Sequence, residues 1–217
     1  MLKSYVIRAG RFTAAQKNAY ASLSDNFLIP FCEEKLDFSK IFKNKNVTME
    51  IGFGTGIATA EIAQANPDKN YLGIEVHRPG IGRLLWEIEK RSLSNIKIIE
   101  YDAVHVVQKM IGQNSLDAVH IFFPDPWPKK KHHKRRLVQR PFTQTLADCL
   151  KPHGYLYMVT DWEEYAVYAL EELKAAAGLQ NAYESFSEPQ PWRAKTKFEQ
   201  KGLDMKHLIR EIMFVKE

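Results

Sequence analysis

A single carboxylate, Asp125, lies between prolines and just upstream of the most basic stretch of the chain. The local sequence reads Pro124-Asp-Pro-Trp-Pro128, and residues 129–136 then hold six Lys or Arg. Prolines restrict the backbone on both sides of Asp125, as suits a preorganised site. Clustered Lys and Arg bind phosphates. The pairing predicts one acidic reactive group beside a polyanion contact, and so an enzyme that modifies nucleic acid.

A glycine-rich turn, Glu50-Ile-Gly-Phe-Gly-Thr-Gly56, is the second stretch with chemical meaning. Glycines let a backbone turn tightly and approach a ligand closely. In dinucleotide-binding folds the third glycine follows the second by three residues. Here Gly56 follows Gly54 by two, after Gly52. This spacing favours S-adenosylmethionine, which has no pyrophosphate to bind. The alternative is a turn with a purely structural role.

Three further acids follow successive predicted strands, at the sheet edge where ligands of such folds bind. Glu50 lies beside the glycine turn, Glu75 ends the second strand and Asp102 follows the third. We expect Glu75 to accept hydrogen bonds from ribose hydroxyls and Asp102 to accept from the adenine amino group. Glu50 is expected to face the ammonium end of the ligand. Each acid could instead be a solvated strand-end residue, and Asp125 could be a turn cap.

Apolar segments that alternate with helical patterns must position these residues. Such alternation predicts βαβ units and an α/β fold with a parallel sheet. The expected strands are 47–51, 71–76, 96–100, 118–123 and 155–160, and the expected helices are 24–36, 56–66, 81–92, 104–111, 138–150 and 163–177. We expect an antiparallel pair, 182–186 with 208–215, to close the sheet. The polar loop 188–202 between them is long enough to suggest a functional role.

Bulk composition restricts the class of protein. With 217 residues, the chain is expected to form a single domain, 1–217, with a basic arm and helix over 1–45 and a core over 46–217. The net charge of +5 is concentrated in residues 129–136, which indicates a contact site. We expect no membrane span, no secretory signal and a cytoplasmic location. Cys32, Cys149 and the adjacent His132 and His133 show no metal-ligand spacing, so no metal is expected.

Several motifs together resemble the bacterial tRNA (guanine-N7-)-methyltransferase family. They are the glycine turn 50–56, Gly73-Ile-Glu-Val-His-Arg-Pro-Gly80, Pro124-Asp-Pro-Trp-Pro-Lys-Lys130 with its basic tail, Thr160-Asp-Trp162, Thr196-Lys-Phe-Glu199 and Arg8-Ala-Gly-Arg11. The similarity covers nearly the whole chain. It implies a Rossmann-like class I methyltransferase fold, with a largely parallel seven-stranded sheet, helices on both faces and an antiparallel C-terminal strand. It also implies methyl transfer from S-adenosylmethionine to N7 of a tRNA guanosine, in the variable loop at position 46.

The resemblance also implies a role for each matching residue. Asp125 would be catalytic and, with Glu50, Glu75, Asp102 and the three turn glycines, would bind the cofactor. Substrate contacts would come from Lys129, Asp161, Thr196, Lys197, Phe198 and Glu199, and RNA contacts from Lys131, His132, His133, Lys134, Arg135 and Arg136. The expected partner is tRNA, bound by a monomer or a homodimer.

Other functions compete with this interpretation. One is a methyltransferase for a protein or a small molecule, which the basic run and the Thr196–Glu199 motif disfavour. A methyltransferase for another RNA is an open alternative. Another is a non-catalytic RNA-binding protein, which the intact glycine turn and its acids disfavour. An NAD-dependent enzyme is disfavoured by the glycine spacing. Trp127 either stacks on a base or braces the loop around Asp125.

Overall fold

The computed structural model describes residues 3–6, 10, 12–194, 199–200, 204–205 and 207–217. These residues form a seven-stranded sheet in the order β3-β2-β1-β4-β5-β7-β6. The strands are β1 Val47–Ile51, β2 Asn70–Glu75, β3 Ile96–Glu100, β4 Leu116–Phe122, β5 Leu150–Thr160, β6 Leu179–Asn181 and β7 Arg210–Lys216. The first five are parallel, whereas β7 runs antiparallel to both β5 and β6. The predicted α/β fold class is confirmed.

Helices cover both faces of the sheet, because the strands are apolar on both sides. The helices are α1 Ala14–Phe27, α2 Phe38–Ile41, α3 Ile57–Ala65, α4 Arg78–Arg91, α5 Ala103–Met110, α6 Phe142–Cys149 and α7 Glu163–Lys174. Residues such as Met49 and Val119 pack with α2, α5, α6 and α7 in one core. On the other face, Tyr71 and Tyr157 pack with α1, α3 and α4. The carboxyl ends of β1 to β5 therefore meet at one edge of this sandwich.

The helix expected over residues 24–36 is wrong. Helix α1 instead begins after Thr13, whose side chain forms a capping box with Gln16, and it ends at Phe27. Pro30 disfavours a helical conformation for the residue before it, Ile29. The amide of Ile29 donates to the carbonyl of Ile98, so the chain runs along the edge of β3 here.

The antiparallel pair that closes the sheet exists, but its first strand is shifted. The expected strand 182–186 is replaced by β6, which ends at Asn181. The Asn181 side chain accepts from the amide of Tyr183 and donates to the carbonyl of Ser185. Asparagine side chains stabilise turns in this way, so the strand stops where the prediction had it begin. Helix α6 is also shorter than the expected 138–150, since it starts only after Pro141.

Candidate active site at the carboxyl edge of the sheet

The glycine turn joins β1 to α3 in a conformation that needs glycine. Gly52, Gly54 and Gly56 have φ values of 75°, 59° and 66°, which side chains strongly disfavour. A Cβ on Gly56 would lie 2.6 Å from the Leu84 side chain, so this glycine permits close packing of α3 on α4. A Cβ on Gly52 or Gly54 would meet nothing within 4 Å. Open space therefore adjoins the turn, on the side where a ligand can approach the backbone.

Glu75 is fixed by backbone donors at the end of β2. Its Oε2 accepts from the Gly54 amide at 2.8 Å, and its Oε1 accepts from Val76 at 2.7 Å and His77 at 3.0 Å. A carboxylate has about four lone-pair sites, so one remains after these three bonds. The side chain thus links the glycine turn to β2 and still has acceptor capacity for a hydroxyl group.

Glu50 is buried beneath the same turn. Its side chain is 4% exposed, and burial raises the pKa of its carboxyl to about 7. The Glu75 carboxylate raises this pKa further, while the Thr59 hydroxyl partly offsets the effect. Burial disfavours the charged form of this carboxyl, and a nearby cation favours it. A cation that approached Glu50 would therefore promote its ionisation and be strongly attracted to it.

Asp102 caps helix α5 by accepting from the Val104 amide at 2.9 Å. The phenol of Tyr5, from the N-terminal arm, lies beside it. Burial raises the pKa of Tyr5, and the Asp102 charge and a hydrogen bond to Asp102 raise it further. The described part of the arm therefore reaches the third of the predicted cofactor-binding acids.

The loop that carries Asp125 is held in an unusual backbone conformation. Phe123 and Trp127 have φ values of 50° and 49°, which non-glycine residues rarely adopt and which cluster at functional sites. The Phe123 amide also donates to the Val159 carbonyl at 2.8 Å, so the loop starts beside β5. Asp125 is half-buried between these strained positions.

Trp127 braces this loop. Its ring is buried, its Nε1 donates to the Ser4 carbonyl at 3.1 Å, and the Arg135 guanidinium lies 3.7 Å from the ring centroid. Arg135 also donates to the carbonyls of Lys3 and Tyr5. Of the two roles left open for Trp127, the structure favours bracing, because both the arm and Arg135 cover the ring.

The basic run divides into an exposed part and a buried part. A 3-10 helix, Lys130–Arg135, follows Lys129. Lys129, Lys130, Lys131 and Lys134 are exposed, whereas His132, His133 and Arg135 are half-buried. Desolvation and the neighbouring cations lower the pKa of His132. Four lysines thus present a positive surface next to Asp125.

Arg136 does not belong to that surface, which corrects its predicted role in RNA binding. Its side chain is 1% exposed, and it donates to the Pro126 carbonyl at 3.0 Å and to Glu164 at 3.1 Å. Its guanidinium also lies about 5 Å from the rings of Tyr165 and Tyr168. A phosphate cannot reach it there. Arg136 instead connects the Asp125 loop, through Pro126, to Glu164 of α7.

Among the predicted substrate residues, Asp161 and Glu199 have different environments. Asp161 follows β5, its side chain is 34% exposed, and His207 Nδ1 lies 3.4 Å from one of its oxygens. Glu199 is buried, and Arg193 donates to both of its oxygens at 2.6 and 2.8 Å. Thr196, Lys197 and Phe198 lie outside the described residues, as do Arg8 and Arg11.

Comparisons with known proteins show that this chain is similar to methyltransferases. The model of a family described as a putative methyltransferase matches residues 44–212. A tRNA (guanine-N(7)-)-methyltransferase of Nitrosomonas europaea is 48% identical over 99% of this chain and 96% of its own length. One of Dechloromonas aromatica is 46% identical over 100% of this chain and 88% of its own. The chain belongs to the tRNA (guanine-N(7)-)-methyltransferase family.

Solved structures show the same fold at low sequence identity. The 16S rRNA methyltransferase KamB has a TM-score of 0.62 and 12% identity, over 85% of this chain and 95% of that one. TrmN from Thermus thermophilus has a TM-score of 0.55 and 15% identity, over 93% of this chain and 48% of that one. The fold is that of the class I methyltransferases, and S-adenosylmethionine is the cofactor of this family.

The site residues fit that cofactor. Open space adjoins Gly52 and Gly54, Glu75 keeps acceptor capacity, and the buried Glu50 interacts with Glu75 and with Thr59 of α3. In the part of the chain that the structure describes, no group of three His, Cys, Asp or Glu residues can hold a metal ion. No helix within the described ranges has the length and apolar character needed to cross a bilayer.

The sequence did not predict four residues that contact the predicted site residues or their partners: Tyr5, Glu164, Arg193 and Glu211. Glu164 and Arg193 lie in polar stretches and look like solvated surface charges. Glu211 lies in an apolar strand, where an acid among β-branched and aromatic neighbours is itself unusual. That anomaly was the one available signal, because buried acids are almost always paired.

Proposed function

We propose that this chain transfers the methyl group of S-adenosylmethionine to N7 of a guanosine in the variable loop of tRNA, at position 46. One observation supports this most strongly. Asp125 follows β4 at the edge where Glu50 lies near the end of β1, Glu75 ends β2 and Asp102 follows β3, and four exposed lysines adjoin it. A candidate cofactor edge, a candidate reactive carboxylate and a positive surface thus adjoin one another, in a chain whose relatives are named tRNA (guanine-N(7)-)-methyltransferases.

The cofactor supplies an electrophilic methyl group on a positively charged sulfur, and this chain's residues hold it. Glu50 would face its ammonium group, Glu75 would accept hydrogen bonds from the ribose hydroxyls and Asp102 would accept one from the adenine amino group. All three are at strand ends of one sheet edge. The glycines of the turn leave the backbone accessible to the bound molecule.

Guanine N7 has a lone pair and no proton at neutral pH, so the chain does not need to supply a general base. Methyl transfer to N7 would break the methyl–sulfur bond of the cofactor, leave the sulfur neutral and place the positive charge on the purine. The chain's task is to align the two reactants, which alone provides a large rate gain. Asp125, close to the imidazole ring, stabilises the charge that develops there.

The guanine edge requires an acceptor for its N1–H and amino donors. Asp161 is the better candidate, because its carboxylate is partly exposed, whereas Arg193 donates to both oxygens of Glu199. Lys129 is exposed next to Asp125 and holds a phosphate or a guanine acceptor. Thr196, Lys197 and Phe198 remain proposed substrate contacts.

The tRNA backbone is bound by Lys131 and Lys134, with His132, His133 and Arg135 at the rim of the same surface. Because these contacts are to phosphates, binding should weaken as salt is added. We further propose that the enzyme acts in the cytoplasm, where its substrate is made, as a monomer or a homodimer.

Incubation of the protein with unmodified tRNA and methyl-labelled S-adenosylmethionine tests the proposal. Label should enter tRNA, and chemical cleavage at 7-methylguanosine should map it to position 46. A tRNA with adenosine at that position should accept no label. Label at another guanosine, or in ribosomal RNA alone, would favour a methyltransferase for a different RNA target. tRNA binding without any transfer would indicate a non-catalytic RNA-binding protein.

A further inference from the structure

Arg136 ends the basic run and is almost completely buried. Its side chain is 1% exposed, whereas the four lysines of the same run are exposed. Arginine side chains are almost never fully buried unless they are paired. A buried ion pair also contributes little net stability compared with apolar residues of the same size. Stability alone therefore does not account for an arginine at this position.

The Arg136 guanidinium connects the Asp125 loop to helix α7. Its Nε donates to the Pro126 carbonyl at 3.0 Å, and a terminal nitrogen donates to Glu164, in the first turn of α7, at 3.1 Å. The rings of Tyr165 and Tyr168 of α7 also lie 5.0 and 4.8 Å from it. A planar guanidinium holds its N–H groups at fixed angles. Arg136 therefore fixes both the distance and the direction between the loop and the helix.

The Pro126 carbonyl is rigidly connected to Asp125. The ring of Pro126 fixes its own φ, and a proline also restricts the residue before it. Asp125 and Trp127 both precede prolines, and Trp127 is already held at a φ of 49°. A displacement of the Pro126 carbonyl is therefore passed on to the backbone of Asp125, because few bonds in between are free to rotate.

His133 supports the same loop beside Arg136. Its Nε2 lies 3.4 Å from the Pro128 carbonyl and 3.2 Å from a terminal nitrogen of Arg136. The Arg136 amide also donates to the His133 carbonyl at 2.8 Å. Arg136 thus takes part in holding the loop at both of the prolines that flank Trp127.

We propose that Arg136 is a positioning residue for Asp125. It holds the loop against α7, so that the Asp125 carboxylate meets the positive charge that develops on the purine during methyl transfer. Such stabilisation depends on a preorganised position, and a misplacement of about 1 Å can lower a rate about 100-fold. This inference rests on the proposed function, because Arg136 acts in that reaction only through Asp125.

Two other roles for Arg136 compete with this one, and each makes a different prediction. A phosphate contact would lower tRNA affinity and reduce its salt dependence when it is removed. A purely structural group would lower the melting temperature and leave the rate of the folded protein unchanged. A positioning residue lowers the rate, and it does so only while the group that it positions is present.

The test introduces Arg136→Lys into the wild type and into Asp125→Ala. Lysine keeps the charge but cannot reproduce the fixed geometry of the two bonds. With Asp125 present, we expect the single-turnover rate of methyl transfer to fall about 10-fold. In the Asp125→Ala background the further loss should be less than about twofold. The salt slope of tRNA binding should not change, and the Kd for S-adenosylmethionine should stay within about twofold of the wild-type value.

Arg140→Lys is the matched control. Arg140 also pairs with an acid of α7, Glu172, at 3.1 and 3.2 Å, but its side chain is 61% exposed. Exposed ion pairs contribute little. The control should therefore change the rate by less than about twofold in either background.

Glu164→Ala removes the α7 end of the connection without touching the buried guanidinium. The Glu164 side chain is 57% exposed, so its loss disturbs little packing. We expect a smaller loss of about threefold in the single-turnover rate, again only with Asp125 present, because Arg136 keeps its bond to Pro126. If Arg136→Lys shows no cooperative melting transition, the two backgrounds of Glu164→Ala decide the question alone.

An unchanged rate in folded Arg136→Lys would overturn the positioning role. An equal fractional loss with and without Asp125 would do the same, and so would a reduced salt slope, which would return Arg136 to the RNA surface. These outcomes leave the proposed function intact as long as the wild-type protein methylates tRNA. A wild-type protein that methylates no tRNA would instead refute the proposed function, and this inference with it.

Discussion

The two halves of the sheet edge are held together in different ways. At the ends of β2 and β3, the acids receive hydrogen bonds from backbone amides that lie a few residues away in the sequence or in the adjoining glycine turn. Glu75 is held by Gly54, Val76 and His77, and Asp102 by Val104. At the ends of β4, β5 and β7, charged side chains instead bind side chains or carbonyls from distant segments. Their pairs are Arg136 with Glu164, Arg193 with Glu199 and Glu211, and Arg135 with the carbonyls of the N-terminal arm.

The difference suggests a division of labour. The cofactor half is fixed by local backbone geometry, so it exists before any ligand binds. The substrate half depends on tertiary ion pairs, so its geometry is sensitive to changes far from the reacting atoms. Substitutions in the first half should therefore affect cofactor affinity, and substitutions in the second should affect turnover and tRNA affinity.

Asp125→Ala should give the largest effect, because Asp125 lies where the two halves meet. We expect kcat to fall about 10²- to 10³-fold, the cost of removing one group that stabilises transition-state charge. The Kd values for tRNA and S-adenosylmethionine should change little by comparison. Single-turnover kinetics and binding titrations measure these separately. If tRNA affinity fell as much as kcat, Asp125 would be a binding residue and its catalytic role would be wrong.

Glu75→Ala should give the next largest effect, confined to the cofactor half. The carboxylate both accepts from the bound ribose and holds the Gly54 amide, and hydrogen bonds to a charged group contribute about 1.5–3 kcal/mol each. We therefore expect the Kd for S-adenosylmethionine to rise about 100-fold in calorimetric titration, with tRNA affinity unchanged. Glu89→Ala is a suitable control, because Glu89 is exposed in the last turn of α4. A parallel loss of tRNA affinity would show that the two halves are not independent.

This division also explains what the sequence could predict. Strand ends, glycine spacing and the acid after each strand are local patterns, so Glu50, Glu75, Asp102 and Asp125 were placed at one edge correctly. The pairing of Arg193 with Glu211 is not local. It depends on β7 lying antiparallel beside β5. The two residues are 18 positions apart, and no local sequence pattern specifies their contact.

The basic run, residues 129–136, shows the same limit of prediction from sequence. Its composition predicts a phosphate-binding surface, and the exposed lysines agree with that. Composition cannot reveal that the last residue, Arg136, turns inward. That outcome requires Glu164 and Tyr165 of α7 to lie opposite, which is a property of tertiary packing.

Substitutions in this run should therefore separate RNA binding from stability. Lys131→Ala with Lys134→Ala should weaken tRNA binding and reduce the slope of log K against log salt by about 1.4–1.8, since two phosphate contacts are lost. Arg136→Ala should instead lower the free energy of unfolding by about 1–3 kcal/mol, because the Pro126 carbonyl loses its donor. Filter binding at several salt concentrations and denaturant titrations measure the two. An unchanged salt slope in the lysine variant would contradict the assigned RNA surface.

Glu50→Gln should give the smallest effect and the most specific one, because it depends on pH. Burial raises the pKa of Glu50 from 4.5 to about 7 in the folded protein. A raised pKa means that the folded state binds the proton more tightly than the unfolded state. The stability that this residue contributes is therefore complete below pH 4.5 and is lost as the pH rises through 7.

Between pH 6 and 8 the wild-type apoprotein should accordingly lose about 1 kcal/mol of stability relative to Glu50→Gln. Cofactor affinity should change in the opposite direction. It should rise over the same range in the wild type, as the carboxylate ionises to meet an ammonium group, and should stay flat in the variant. Thermal melts and calorimetric titrations at pH 6, 7 and 8 measure both trends. A variant that binds the cofactor as the wild type does at pH 8 would remove Glu50 from the binding site. The cofactor half would then consist of Glu75 and Asp102, the two acids whose positions local backbone donors already fix.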